Sequence, residues 1–105
     1  MLEELLVDLA FELDGEPTYD ENKLRAKISS AIREVKKARK YPKHYTDEQI
    51  DDDLQNYYSN VRNIALYDYN KMGAEGEETH NENGVSRTYI DREKLFAGII
   101  PLAKF

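Results

Sequence analysis

Few residues in this 105-residue chain have the types and spacing that metal binding requires. His44 and His80 each lack a second His or a Cys at ligand spacing, which argues against a zinc site. The run Asp51-Asp52-Asp53 lacks the glycine and the distal glutamate of a calcium-binding loop. Acids near the start of a helix instead complement the helix dipole. We therefore predict no bound metal.

Nucleophilic and phosphate-binding patterns are equally scarce. Ser86 lies in no nucleophile elbow and has no matching histidine, and no glycine-rich phosphate cradle occurs. The chain has no cysteine, which excludes thiol chemistry and disulfides. We expect no enzymatic activity, no catalytic residue, no cofactor and no small-molecule substrate.

Charge is distributed in three blocks. Residues 1–22 contain eight acids and no Lys or Arg, residues 23–43 contain nine bases and one acid, and residues 44–105 contain twelve acids and six bases. Opposed blocks favour helices, or neighbouring subunits, that face each other with complementary sign. A free nucleic-acid binder is more often basic overall, whereas the net charge here is −6.

Five of these bases form a stripe along one flank and the outer face of the second predicted helix: Arg25, Arg33, Lys36, Lys37 and Lys40. Such a stripe can bind phosphates, with an affinity that falls steeply with salt. It can equally be a solvated face, or the partner of the acidic first helix. No aromatic residues interleave it, so sequence-specific reading of DNA is not expected.

Three helices must position these side chains. Leucines at helical spacing predict the first helix over about 2–13. Asp20 is a plausible N-cap for the second helix, which runs to about Lys40, before Pro42. The apolar stripe of this helix contains Leu24, Ile28, Ala31, Ile32 and Val35. A capping box at Thr46-Asp47-Glu48-Gln49 opens a third helix that extends to Met72. Gly73 then takes the left-handed position that closes many helices.

The third helix presents one apolar face and several side chains away from it. At 100° per residue the core face contains Ile50, Leu54, Tyr57, Tyr58, Val61, Ile64, Ala65 and Met72. Leu66 lies opposite, and Tyr67 and Tyr69 flank the stripe. About 27 residues at about 1.5 Å each span roughly 40 Å, more than the ~34 Å diameter expected for the domain. The helix must therefore kink, or its end must project.

Asp68 is the one ionisable residue within that core stripe. An unpaired buried carboxylate is costly, so we predict a partner for it. Arg87 or Arg92 could supply one, as could a tyrosine hydroxyl or backbone amides. We interpret Asp68 as a buried structural anchor, because no second group positioned for catalysis is evident.

The composition changes after Gly73. Asn83-Gly84 is a strong turn signal ahead of a predicted strand at Val85–Ile90, which could pair with Thr79-His80. Asp91 then caps a short helix over Arg92–Ala97. The predicted fold is all-α: a single domain, 1–105, with a three-helix core (1–73), followed by a small β-hairpin insert and a short terminal helix (74–105).

Two features bear on location. No apolar run approaches the roughly 20 residues that span a bilayer, so we expect no membrane partner. The first sixteen residues carry acids where a signal peptide has a basic region, which favours folding in the cytoplasm where the chain is made.

The segments ALYDYN, NGVSRTYI and LFAGIIP, in this order between Thr46 and Pro101, resemble the small head–tail connector (DNA-packaging) proteins of tailed bacteriophages and prophages. In that family a helical core carries a small β insert, and many copies form a ring beneath the portal that joins head to tail. The resemblance implies a virion protein made in the bacterial host cytoplasm. Its partners would be copies of itself, the portal, tail-side adaptor proteins and the packaged DNA passing through the ring.

The same resemblance suggests which residues contact other subunits or the portal: Leu66, Tyr67, Tyr69, Val85, Arg87 and Tyr89. The alternative function is a small DNA-binding or regulatory module that acts through the basic second helix.

Overall fold

A computed structural model of the chain describes residues 1–73 and 92–102. The predicted hairpin, with Val85, Arg87 and Tyr89, lies outside the described residues. The described ranges contain four α-helices: α1 (Leu2–Glu12), α2 (Glu21–Arg39), α3 (Asp47–Leu54) and α4 (Tyr58–Gly73). The described part of the chain is mostly helical and contains no strand, which confirms the all-α class.

The predicted helix starts are confirmed in detail. Asp20 caps α2, and its side chain accepts a hydrogen bond from the Lys23 amide at 3.1 Å. Both bonds of the capping box at Thr46 and Gln49 are formed, at 3.1 and 2.8 Å. The end of α2 is less usual, because Lys40 adopts the left-handed conformation (φ 54°, ψ 63°) that glycine more often occupies.

The third predicted helix is interrupted. A 3-10 turn at Gln55–Tyr57 separates α3 from α4, so the single helix expected from Thr46 to Met72 was wrong. The wheel assumed 100° per residue throughout, and a 3-10 turn winds more tightly.

Among the residues that the structure describes, twelve buried apolar side chains form one core. They are Leu5, Leu6, Leu9 and Leu13 from the first segment, Leu24, Ile28, Ala31 and Val35 from α2, and Leu54, Val61, Ile64 and Ala65 from α3 and α4. The predicted stripes of the first two helices supply eight of these. Ile50, Tyr57, Tyr58 and Leu66 are half-buried against the same cluster. Leu66 was expected to face away from the core, and that expectation was wrong.

The C-terminal segment returns to this body. Arg92–Phe96 forms a 3-10 helix where a short helix was predicted, and Gly98 ends it with a positive φ of 88°. Within the described ranges, no helix is both long and apolar enough to cross a bilayer.

Candidate functional site

Four cations lie along the outer face of α2 and at its C-terminal end. Arg33, Lys36, Lys37 and Lys40 are all exposed. Arg33 lies three and four residues before Lys36 and Lys37 and so neighbours both on the helix surface, and Lys40 is the left-handed C-cap that follows the helix. None of these side chains forms an ion pair within residues 1–73 or 92–102. We refer to these four residues as the cationic patch.

Arg25, the fifth residue of the predicted stripe, behaves differently. Its guanidinium contacts Glu3 of α1 at 2.8 Å and Glu21 at 3.3 Å. These hydrogen bonds, that to Glu3 first, raise the pKa of Arg25. The basic stripe is therefore divided between an ion-paired residue that joins α2 to α1 and a patch whose charge faces solvent.

The outer side of α1 combines exposed apolar and acidic residues. Val7 and Phe11 are 58% and 79% exposed, and they lie one turn apart. Exposed Glu4 precedes Val7 by three residues, and exposed Asp14 lies in the turn just after the end of α1. We refer to these four residues as the α1 outer face.

The acidic first helix does not pair mainly with the basic second helix. Asp8 contacts Arg62 of α4 at 3.0 Å and accepts a hydrogen bond from the Tyr58 hydroxyl at 3.2 Å, and Glu12 also contacts Arg62. Burial, followed by the charge of Asp8, raises the pKa of Tyr58. The predicted complementarity of α1 and α2 is thus limited to Glu3 and Arg25 among the described residues.

Arg39 joins three segments at the end of α2. Its side chain is 11% exposed and forms a two-point contact with Asp53 of α3, at 2.8 and 2.9 Å. The same guanidinium donates to the Ile100 carbonyl at 2.6 Å, and the Arg39 carbonyl accepts from the Leu102 amide at 2.6 Å. The guanidinium also lies 5.0 Å from the centre of the Tyr57 ring, within cation–π range.

Tyr41 completes this cluster by donating its hydroxyl to Asp53 at 2.7 Å. Hydrogen bonds from Arg39 hold the pKa of Asp53 below its usual value, and the Tyr41 hydroxyl adds to the effect. Burial is the main reason that the pKa of Tyr41 rises well above its usual value. This cluster was not predicted from the sequence, although Arg39 follows Val35 by four residues and so continues the buried stripe of α2.

Asp68 has the kind of partner that was predicted. Arg92 contacts both of its carboxylate oxygens, at 2.8 and 2.7 Å, and the Asp68 side chain is only 15% exposed. Arg92 also binds both carboxylate oxygens of Glu34 in α2, at 3.1 and 2.7 Å. These hydrogen bonds, that to Asp68 first, raise the pKa of Arg92. Arg87, the other predicted partner, lies outside the described residues.

Asn60 provides a further tie to the C-terminal segment. Its side-chain amide donates to the carbonyls of Leu95 and Ala97, at 2.9 and 3.0 Å. Arg39, Arg92 and Asn60 together hold the described C-terminal residues onto α2 and α4.

The predicted subunit contacts on α4 are not its most exposed side chains. Leu66 and Tyr69 are half-buried against the core, and Tyr67 is also half-buried. The Tyr69 hydroxyl accepts the Asp20 amide at 2.9 Å, so Tyr69 stabilises the start of α2. Nothing in this geometry tests whether these residues contact another subunit.

Binding chemistry is scarce in the described residues. A shallow groove is lined by Tyr45, Gln49, Asp52, Asp53 and Asn56. The Asp53 carboxylate in that groove is already bound by Arg39 and Tyr41. Within the described ranges, no group of three His, Cys, Asp or Glu residues could hold a metal ion.

Comparison of the chain with known protein families, with curated proteins and with solved structures gives no match. Its function must therefore be argued from the chain's own residues and geometry.

Proposed function

We propose that the chain is a structural adaptor subunit of the head–tail connector kind. Copies of it would form a ring beneath the portal of a tailed bacteriophage or prophage, complete the DNA-filled head and join it to the tail. The resemblance of ALYDYN, NGVSRTYI and LFAGIIP to that family motivates the proposal. The net charge of −6 is compatible with it, because a ring that repels phosphate lets DNA slide through rather than stick.

The observation that carries the proposal is the way the body holds the C-terminal segment. Helix α4 ends at Gly73, and Arg92 is bound to Asp68 of α4 and Glu34 of α2. The two residues that border 74–91 therefore belong to the same helical body. The hairpin proposed for 83–90 would be marginal alone, since two strands rarely suffice in water. A neighbouring subunit or the portal would supply the missing contacts.

Deletion of the gene from a phage or prophage that carries it tests the proposal. We expect DNA-filled heads that fail to join tails and lose their DNA, with infectivity restored by the gene in trans. Electron microscopy of wild-type particles should find the protein at the portal vertex. Fully infectious, tailed particles that lack the protein would contradict the proposal.

One observation favours a second candidate function, a DNA-binding or regulatory module. The cationic patch carries four exposed charges without partners in the described part of the chain. If all four neutralise phosphates, the logarithm of the affinity for duplex DNA should fall with the logarithm of salt with a slope of roughly −3.6. Retention of arbitrary duplex at physiological salt, abolished in Lys36→Glu/Lys37→Glu, would support this alternative.

A further inference from the structure

Two oppositely charged surfaces on this molecule cannot satisfy each other within one copy. Val7 and Phe11 lie on the side of α1 opposite the fully buried Leu5 and Leu9. Arg33, Lys36 and Lys37 of the cationic patch lie on the side of α2 opposite its own buried residues. The buried residues of both helices belong to one core, so each surface points away from that core.

We infer that the α1 outer face of one copy docks on the cationic patch of a second copy. This inference rests on the proposal that copies of the chain assemble, and it adds which two surfaces meet. Glu4 and Asp14 bring negative charge to a surface of four positive charges, and such complementarity fixes partner and register.

The chemistry of the patch also suits the exposed apolar pair. Lysine stems are hydrocarbon, so Lys36 and Lys37 can cover Val7 while their ammonium groups stay in water. Cations also bind favourably over an aromatic face, which the 79%-exposed ring of Phe11 offers. The α1 outer face is thus matched by the patch in both charge and apolar character.

The contact would join two different surfaces, so it is heterologous. Each docked copy leaves one free face of each kind, and successive copies continue into a closed ring or an open filament. The occupant is therefore a second copy of the chain. Phosphate, or the chain's own acid-rich residues 74–91, are the competing occupants that an experiment must separate.

Cysteine cross-linking tests the contact directly, because the natural chain has no cysteine. Full-length Phe11→Cys, carrying a mass tag, is mixed with untagged Lys37→Cys under mild oxidation. The protein concentration should be about 1 mM, which populates contacts with a Kd as weak as about 1 mM. The matched control replaces Lys37→Cys with Lys71→Cys, an exposed lysine on α4.

We expect the mixed disulfide between positions 11 and 37 to form at least about tenfold faster than the control pair. The rate should fall with added salt, because the Debye length shrinks from about 10 Å at 0.1 M to about 3 Å at 1 M. Equal rates for the two pairs would overturn the inference.

Charge reversal in the cross-linking pair separates the competing occupants. Glu4→Lys/Asp14→Lys placed in the Phe11→Cys chain, or Lys36→Glu/Arg33→Glu placed in the Lys37→Cys chain, should each abolish the preference over the control. Combining both reversed chains should restore it, because the charges again oppose. All four positions are exposed, so circular dichroism should report unchanged folding.

Two results would assign the patch to another occupant and overturn the inference. One is that reversing the charges of the cationic patch abolishes the faster formation of the 11–37 disulfide, whereas reversing those of the α1 outer face does not. The other is failure of the doubly reversed pair to recover. Cross-linking tests only the proposed contact, whereas microscopy of particles tests the adaptor role. If the protein is found at the portal vertex but the disulfide between positions 11 and 37 forms no faster than the control, only the proposed contact is refuted. If that disulfide forms faster but the protein is absent from the virion, only the adaptor role is refuted.

Discussion

Helix α1 and the C-terminal segment both pack against α2 and α4, but different forces hold them. Leu5 and Leu9 of α1 are fully buried in the core. The 3-10 helix Arg92–Phe96 contributes no fully buried side chain, and its apolar residues are half-buried. Its position is set instead by hydrogen bonds from Arg39, Arg92 and Asn60.

This difference indicates that one kind of contact stabilises the fold and another determines where a segment lies. Burial of apolar surface is strong but non-directional, and it depends little on salt or pH. Two-point contacts between arginine and carboxylate fix geometry as well as energy, and they depend on the charge of the carboxylate. We therefore expect α1 to contribute mainly to stability, and the arginine clusters to determine where the C-terminal segment lies.

The largest effect should come from the apolar side of this comparison. Leu9→Ala removes a fully buried side chain and leaves a cavity, so we expect a loss of about 4 kcal/mol in the free energy of unfolding. Urea denaturation followed by circular dichroism measures it. Phe11→Ala, at a 79%-exposed position of the same helix, is the control and should change stability little. Comparable losses for both variants would refute the assignment of the two faces of α1.

Removal of Arg39 should have the next largest effect. Arg39→Met leaves Asp53 partly buried, with Tyr41 as its remaining partner among the described residues, and frees the Ile100 carbonyl. Breaking a buried ion pair by removing one partner costs about 3 kcal/mol or more. Hydrogen exchange should show residues 97–102 losing protection while α1 keeps its own. Arg33→Met, at an exposed site, is the control, and uniform loss of protection across the chain would contradict a localised role.

Acidification should weaken the same cluster more mildly, because protonated Asp53 keeps its place. The folded-state pKa of Asp53 lies below its unfolded value of about 3.9. Its contribution to stability is therefore present above that unfolded pKa and is lost as pH falls through the folded pKa. Backbone amide NMR shifts of residues 97–102 should move only below about pH 4, as Asp53 is protonated. Asp53→Asn should remove this transition, and an unchanged transition would exclude Asp53 as its cause.

Features that depend on residues close together in the sequence were predicted correctly. The caps at Asp20 and Thr46, and the stripe from Leu24 to Val35, depend on residues within a few positions of each other. The prediction of one continuous helix failed at Gln55–Tyr57, because the signals for a 3-10 turn inside a helical pattern are weak.

Contacts between residues far apart in the sequence were predicted only in part. Asp68 could be identified as needing a partner, since a lone carboxylate in an apolar stripe is costly. Identifying Arg92 as a partner required the three-dimensional path of the chain. Arg39 was missed because a charged residue at a stripe position is normally taken as the end of the stripe.

Arg62 provides the smallest expected effect, because it forms the same kind of ion pair as Arg39 but with partners that are more exposed to solvent. It bridges Asp8 and Glu12 of α1, whose side chains are 39% and 45% exposed, whereas that of Asp53 is 19% exposed. Solvent-exposed ion pairs contribute little, so Arg62→Met should cost only about 0.5 kcal/mol. Urea denaturation at low and high salt measures this, and the wild-type advantage should shrink as salt rises. A loss as large as that of Arg39→Met would mean that α1 is also held by its charges, and the contrast between the two segments would fail.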